Sequence, residues 1–449
     1  MTKRSTLCAA IGAAAIAAAA AGGWAYSVHE AGARLDLMLS GLSAEPLWNT
    51  YRVEGEVLER TFASRRFRIQ VDDGASPLYF IGTAEFGLLG GVVKVKTDVS
   101  QGAAAMLDDA GIAGFADELT VTTGLLGGVK QIVYELDKLR YQHPSSGEAL
   151  DFAGMTIEAK PLGKDGWQVN AALPGLTASA GGQTVFAWKD LSAVYEEEAP
   201  SGSAKASQAA SGGVLSAQEE IDDAGLLRAQ RLVVRSGEMQ SELGRFAGAE
   251  LEMTLAPQQT DKAQGEKAEK AESSPRWQET MRLSLDAPLG PTLSAYDLKP
   301  DRLTGAMRIT GITQAFVDGL AALSAGLLVG TNLEPIYALS LFQNAVLNDG
   351  LAWHLDDFTI SQGSDSLTMT GWLACRQDDA AVLFGNLGAA GQPEVTLGSF
   401  SFRATPAMLS DRLVGEALQD GTLKRIDNAL VSDIQVTSER VTANGVPIF

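Results

Sequence analysis

The sequence predicts an α+β protein rich in strands: a large curved antiparallel sheet, or sheets, with a few packed helices, preceded by an N-terminal transmembrane helix. Three observations predict it. Apolar and polar residues alternate with period two along much of the chain, segments of helical periodicity are few and clustered, and a long uncharged stretch opens the sequence. Continuous apolar strands separated by helical crossovers, which would mark a parallel sheet, are not the pattern.

The opening stretch comes first. Lys3 and Arg4 precede an uncharged run from Leu7 to Val28, mostly alanine, in which Leu7, Ile11 and Ile16 add bulk and Trp24 and Tyr26 stand near the end. About 20 apolar residues span a bilayer core, whereas the apolar region of a secretory signal is usually about 7 to 15. Length therefore favours a membrane anchor over residues 1–30, while the small residues Ala19-Ala20-Ala21 leave a cleaved export signal open. The leading cations fit a cytoplasmic N-terminus, and Trp24 and Tyr26 fit the far interface. Nearly all of the chain then lies outside the cytoplasm. Its two cysteines, Cys8 and Cys375, are too far apart in role and position to form a disulfide framework, so stability rests on packing.

Beyond the anchor, Leu35, Met38 and Leu42 recur at helical spacing and extend the membrane helix as an amphipathic stalk. Strands follow. Arg66-Phe67-Arg68-Ile69-Gln70-Val71 and Val93 to Val99 alternate, as do Trp167 to Asn170, Leu251 to Leu255, Met281 to Leu285, Ser366 to Leu373 and Phe400 to Phe402. A short helix is expected over Gly102 to Leu107. Ile312, Phe316, Leu320, Leu323 and Leu327 share a helical face, and Pro335 opens a second helix, placing helices near 312–347. Thr405-Pro406 reads as an N-cap with proline at the first position of a third helix, near 405–420, stopping at Gly421.

Two stretches interrupt the pattern. Residues 196–225 are acidic and rich in Ser, Ala and Gly, and residues 257–275 are almost wholly polar; neither can bury enough apolar surface to offset ordering, so both read as mobile loops. The first divides an N-terminal part of the β-rich domain, 31–195, from a C-terminal part, 226–449. The formal net charge of −20 argues against nucleic acid and anionic headgroups as partners.

The search for chemistry yields little. His29, His143 and His354 are scattered, and no HExxH, CxxC, GxSxG or phosphate-loop motif occurs, so no metal ligand, cofactor or catalytic residue is assigned. The pairs Asp108-Asp109, Asp222-Asp223, Asp356-Asp357 and Asp378-Asp379 are adjacent residues, expected to point to different faces and to serve turns or caps. Gly87-Leu-Leu-Gly-Gly and Gly124-Leu-Leu-Gly-Gly read as strand-entry turns. His354, beside Trp353 and Asp356, is the most crowded polar spot.

Taken together, the N-terminal helix, Tyr51-Arg-Val-Glu-Gly-Glu-Val, Phe62-Ala-Ser-Arg-Arg-Phe, Leu119-Thr-Val-Thr-Thr-Gly, Asp151-Phe-Ala-Gly-Met, Ser366-Leu-Thr-Met-Thr-Gly and the closing Val441-Thr-Ala-Asn-Gly-Val-Pro-Ile-Phe make the chain resemble the YdgA-like bacterial family, domain of unknown function 945. Ile81-Gly-Thr-Ala-Glu-Phe-Gly-Leu stands where that family typically has a His-Gly-Pro turn. The resemblance implies a single-pass protein of the Gram-negative inner membrane with its bulk in the periplasm, and it supplies no catalytic residues. The expected role is a non-enzymatic envelope protein that binds a lipid or other apolar ligand on a sheet face. A periplasmic scaffold recruiting a protein partner through the 196–225 loop is the alternative, and a hydrolase centred on His354 the third reading.

Overall fold

The computed structural model describes residues 35–37, 39–40, 52–61, 63–72, 77–87, 90–100, 104–124, 128–143, 145–163, 166–197, 228–242, 244–258, 276–290, 298–314, 316–317, 351–374, 396–409, 411–437 and 439–448. The protein is β-rich, with antiparallel pairing and few helices. It forms two compact units, residues 1–196 with 235–242, and residues 197–234 with 243–449. The anchor residues Leu7, Ile11, Ile16, Trp24 and Tyr26, both loop stretches beyond their strand-borne ends, and nearly all of the helical pattern between 312 and 347 lie outside the described residues. Among the described residues, no helix is long and apolar enough to cross a membrane.

The first unit begins as a meander of β1 (Arg52–Arg60), β2 (Ser64–Asp72), β3 (Leu78–Gly87) and β4 (Gly90–Thr97). α1 (Ala104–Asp109) and β5 (Ile112–Ala113) follow, and β6 (Asp117–Thr123) then pairs with β4 and with β7 (Val129–Leu136). The alternation read from the sequence becomes burial here. Phe67, Ile69 and Val71 point into the core with Phe80, Ala84, Val93, Val95, Leu119 and Val121, while Arg66 before them is exposed and Arg68 and Gln70 between them are half-buried. Each such side chain, fully buried, contributes roughly 1.5–3 kcal/mol. Gly82, opposite Phe67 on the neighbouring strand, leaves room for the ring, because a Cβ there would lie 2.1 Å from Phe67 Cζ.

The expected stalk is not free of this sheet. Residues 35–37 and 39–40 are helical, and Leu35 and Leu39, one turn apart, are each only 1% exposed within the core. Asp36 pairs with Arg65 at 3.3 Å and with Arg60 at 3.6 Å, fixing the segment to the β1–β2 hairpin. Gly55 permits the approach: a Cβ there would stand 2.7 Å from the Leu39 carbonyl oxygen. Both Gly-Leu-Leu-Gly-Gly stretches fall at hairpin ends, β3–β4 and β6–β7, where the Gly91 N–H donates to Thr123 Oγ1 at 2.9 Å.

Four further strands, β8 to β11, continue the unit. β8 (Leu139–Gln142) pairs with β5 and β9 (Ala149–Phe152), and β10 (Met155–Leu162) pairs with β7 and β11 (Gly166–Ala180), which also takes β9 on the same edge. The register is identical on both sides of each interruption, so β5/β6, β7/β8 and β9/β10 are three long strands broken side by side. Gly114 and Gly154 adopt φ of +77° and +99° at these breaks, a region open to glycine. A crease therefore crosses the sheet at Gly114, Lys138, Ala153 and Gly175. β12 (Gln183–Glu197) ends this part of the chain.

After β13 (Gln230–Ser236), β14 (Met239–Ser241), which pairs with β12, and β15 (Gly244–Phe246), the second unit is a plain meander. β16 (Gly248–Pro257), β17 (Trp277–Asp286), β18 (Arg302–Ile312), β19 (Ala352–Gln362), β20 (Asp365–Ala374) and β21 (Thr396–Ala404) each pair with the next. β22 (Lys424–Ile426), β23 (Ala429–Thr437), β24 (Val441–Ala443) and β25 (Val446–Pro447) complete it, with β23 against β21. The single helix expected from Pro406 is instead a 3-10 turn, Pro406–Met408, followed by α2 (Asp411–Asp420). Thr405 does not cap it: its hydroxyl accepts the Ser366 N–H at 3.1 Å and is spent on β20. The chain leaves α2 at Gly421 as expected, with φ +85°.

Candidate functional site

Pairing registers sort the second unit's sheet into two chemically opposite faces. On one, cross-strand rows read Leu285–Leu303–Ile360–Leu367–Ala404–Leu430, then Leu283–Gly305–Phe358–Met369–Phe402, then Met281–Met307–Leu355–Gly371–Phe400–Ile434, and then Leu255–Glu279–Ile309–Trp353–Leu373. The first row is closed in part: Ile360, Ala404 and Leu430 are buried, with Leu298 and Met408 packed with Ile360 and Ala404, while Leu285, Leu303 and Leu367 are half-buried. Beyond the last row, Ile312 opposite Trp277 is also buried. Between these ends the large side chains are half-buried, and Leu373 remains 42% exposed. The result is an apolar strip across β17–β21, with Trp353 and Phe400 in tilted contact at 6.0 Å between ring centres.

One charge interrupts the strip. Glu279 stands opposite Leu255 on one side and Ile309 on the other, and its along-strand neighbours on that face are Trp277 and Met281. Burial alone pushes its carboxyl above the ordinary carboxylate range, and among the described residues no ion pair or hydrogen bond reaches it. The position was legible in the sequence, since the alternation of Met281, Leu283 and Leu285 puts residue 279 in the apolar phase.

The opposite face is polar, with a row Thr254–Thr280–Arg308–His354–Trp372–Ser399. A β-bulge at Asp356-Asp357 alters the expected alternation: both carboxylates reach partners on this face instead of opposite ones. Asp356 pairs with Arg308 at 3.1 Å, and Asp357 accepts from Thr359 at 2.9 Å and from Thr304 at 3.5 Å. Burial, then the Arg308 guanidinium, hold the His354 imidazole below its usual pKa, against a smaller opposing pull from Asp356. His354 thus sits where the sequence suggested, but no hydrogen bond joins it to a hydroxyl or thiol nucleophile among the described residues. Of the other histidines, His143 Nδ1 accepts the Ser146 N–H at 3.1 Å and organises a turn; His29 lies outside the described residues.

The crease of the first unit holds a shallow cavity of about 530 Å³ lined by Gly114, Lys138, Arg140, Asp151, Ala153 and Gly175 among others. Arg140 and Asp151, directly opposite on β8 and β9, pair at 3.7 Å in its lining, both well exposed. Among the described residues no three His, Cys, Asp or Glu side chains converge as a metal set. No family model, curated protein or solved structure matches this chain.

Proposed function

We propose that the chain is a membrane-anchored envelope protein of non-enzymatic function whose second unit binds a lipid or similar apolar molecule along the sheet strip. The observation that carries this reading is the strip itself: rows of Leu, Met, Ile, Trp and Phe left half-buried between two buried ends. Apolar surface of this kind gains roughly 25 cal/mol for each Å² that a ligand removes from water. Exposed apolar surface that is contiguous rather than scattered marks binding sites for partners or ligands.

The N-terminal end supports placement at a membrane. Only residues 29–34 separate the uncharged run ending at Val28 from Leu35, which is held in the first unit's core. At no more than about 3.6 Å per residue, a tether of that length keeps the first unit within about 20 Å of the bilayer surface. The resemblance to the YdgA-like family points to the periplasmic side of a Gram-negative inner membrane. Native mass spectrometry of the full chain, with extraction and analysis of co-purifying lipids, tests the reading. A stoichiometric apolar molecule, lost when Met281, Met307 and Leu355 are replaced by serine, is the expected result; a ligand-free mass from freshly isolated membranes overturns it.

A further inference from the structure

We infer that the apolar strip of the second unit selects an amphiphile carrying an ammonium group, with Glu279 as the residue that recognises the cation. The inference rests on the strip being a ligand site, and it adds the ligand's chemical class.

Glu279 occupies a middle position of its row, with Leu255, Ile309, Trp353 and Leu373 completing it and Trp277 two residues away along β17. Strand spacing of about 4.8 Å puts Trp353 two strands and roughly 10 Å across, and the Trp277 Cα roughly 7 Å along. A carboxylate in apolar surroundings is the chemistry that recognises an ammonium: the carboxylate supplies the counter-charge, and Trp277, the next residue on that face of β17, adds aromatic surface that favours a cation. A carboxylate ligand would meet repulsion in the same place, and an uncharged chain would leave Glu279 buried without a partner.

Among the described residues the sheet does not supply the cation. Arg282 and Arg308 belong to the rows of the polar face, where they meet Glu252 and Asp356. The connection from β18 to β19, residues 313–351, contains no Lys, Arg or His; Lys262, Lys267 and Lys270 of the connection into β17 are the chain's own competitors for Glu279, and a preference for ammonium in the native chain requires that they leave it free. Burial without compensation also explains why the carboxyl titrates high, and a bound ammonium would bring it back toward the ordinary range.

The test uses the full chain in an uncharged maltoside detergent and three eleven-carbon probes brominated at the tail, ending in an ammonium, an alcohol or a carboxylate. Quenching of tryptophan fluorescence reads binding. All three are expected to quench, the ammonium probe binding at least tenfold more tightly than the carboxylate. In Glu279→Gln this preference disappears while the alcohol probe still quenches, which also shows that the variant is folded. Glu252→Gln, on the opposite face of the neighbouring strand, is the control for general attraction to an acidic protein and is expected to keep the preference. Absence of the preference in the native chain, its survival in Glu279→Gln, or its equal loss in Glu252→Gln overturns the ammonium assignment while alcohol quenching leaves the apolar site standing. If no probe quenches, the apolar site itself falls, and the assignment with it.

Discussion

The two units solve the same problem, an antiparallel sheet with one apolar face, to different degrees. In the first, strands β2 to β4 alternate between buried and exposed residues, and Leu35 and Leu39 are buried in the same core. In the second, β16 to β20 are half-buried along most of their length, and among the described residues a compact core forms around Leu298, Ile360, Ala404 and Met408. The same contrast extends to ionisable groups. The first core contains Tyr134, a phenol that is neutral at physiological pH even when free and that burial, helped by Asp117, pushes up to about 12. The second face contains a carboxyl, whose burial is costly once it ionises. The buried charges of the first unit are partnered, Arg65 by Asp36 and Asp98 by the Ser100 N–H, whereas Glu279 is half-buried with no partner among the described residues, and that distinguishes the second face.

Mutations that remove packing should separate the units most strongly. Phe67→Ala is expected to cost about 3–5 kcal/mol, whereas Phe400→Ala, on the half-buried strip, is expected to cost about 1–2 kcal/mol. Hydrogen exchange resolved by segment would register the first in β1–β4 and the second in β19–β21; equal losses would break the comparison. Leu39→Ala comes next, at roughly 2–4 kcal/mol, again confined to the first unit. Gly55→Ala should act in the same direction by displacing the Leu39 backbone, and an unchanged melting curve for both variants would mean that the helical segment is not part of the seal.

Protonation gives a smaller and more discriminating contrast. The folded chain takes up a proton at Glu279 at higher pH than the unfolded chain does, so this residue makes stability fall as pH rises through the ordinary carboxylate range to the raised value. His354 acts oppositely to the usual histidine. Its folded pKa is depressed, so the unfolded chain protonates first and stability is lost as pH falls below about 6.5 toward the depressed value. Glu279→Gln should therefore stabilise the second unit at neutral pH and remove the first dependence while leaving the second. A denaturation midpoint measured from pH 4 to 8 decides it. The smallest effect is expected at Arg308–Asp356, where a partly exposed ion pair contributes less than about 1 kcal/mol; Asp356→Asn should move that midpoint little.

The strands were legible because alternation is a local property: a residue's face follows from its parity, and Arg66 to Val71 or Met281 to Leu285 state theirs directly. The same logic makes Glu279 legible as a charge in an apolar phase. It failed at Asp356-Asp357, where a bulge inserts one residue and parity no longer gives the face. It failed also at Thr405, since a hydroxyl that can cap a helix can equally pair with a strand, and only the proximity of Ser366 decides between them.

The sequence by itself determined that this protein is built from wet-faced antiparallel strands, because that pattern needs only neighbours two residues apart. Tertiary structure alone decided which apolar faces are closed. Leu35 and Leu39 meet the first sheet, and Met408 and Leu298 meet one end of the second, through contacts between segments distant in the chain. It also decided that Leu255, Glu279, Ile309, Trp353 and Leu373 form one row, since register between strands depends on turns, bulges and packing that no single segment encodes.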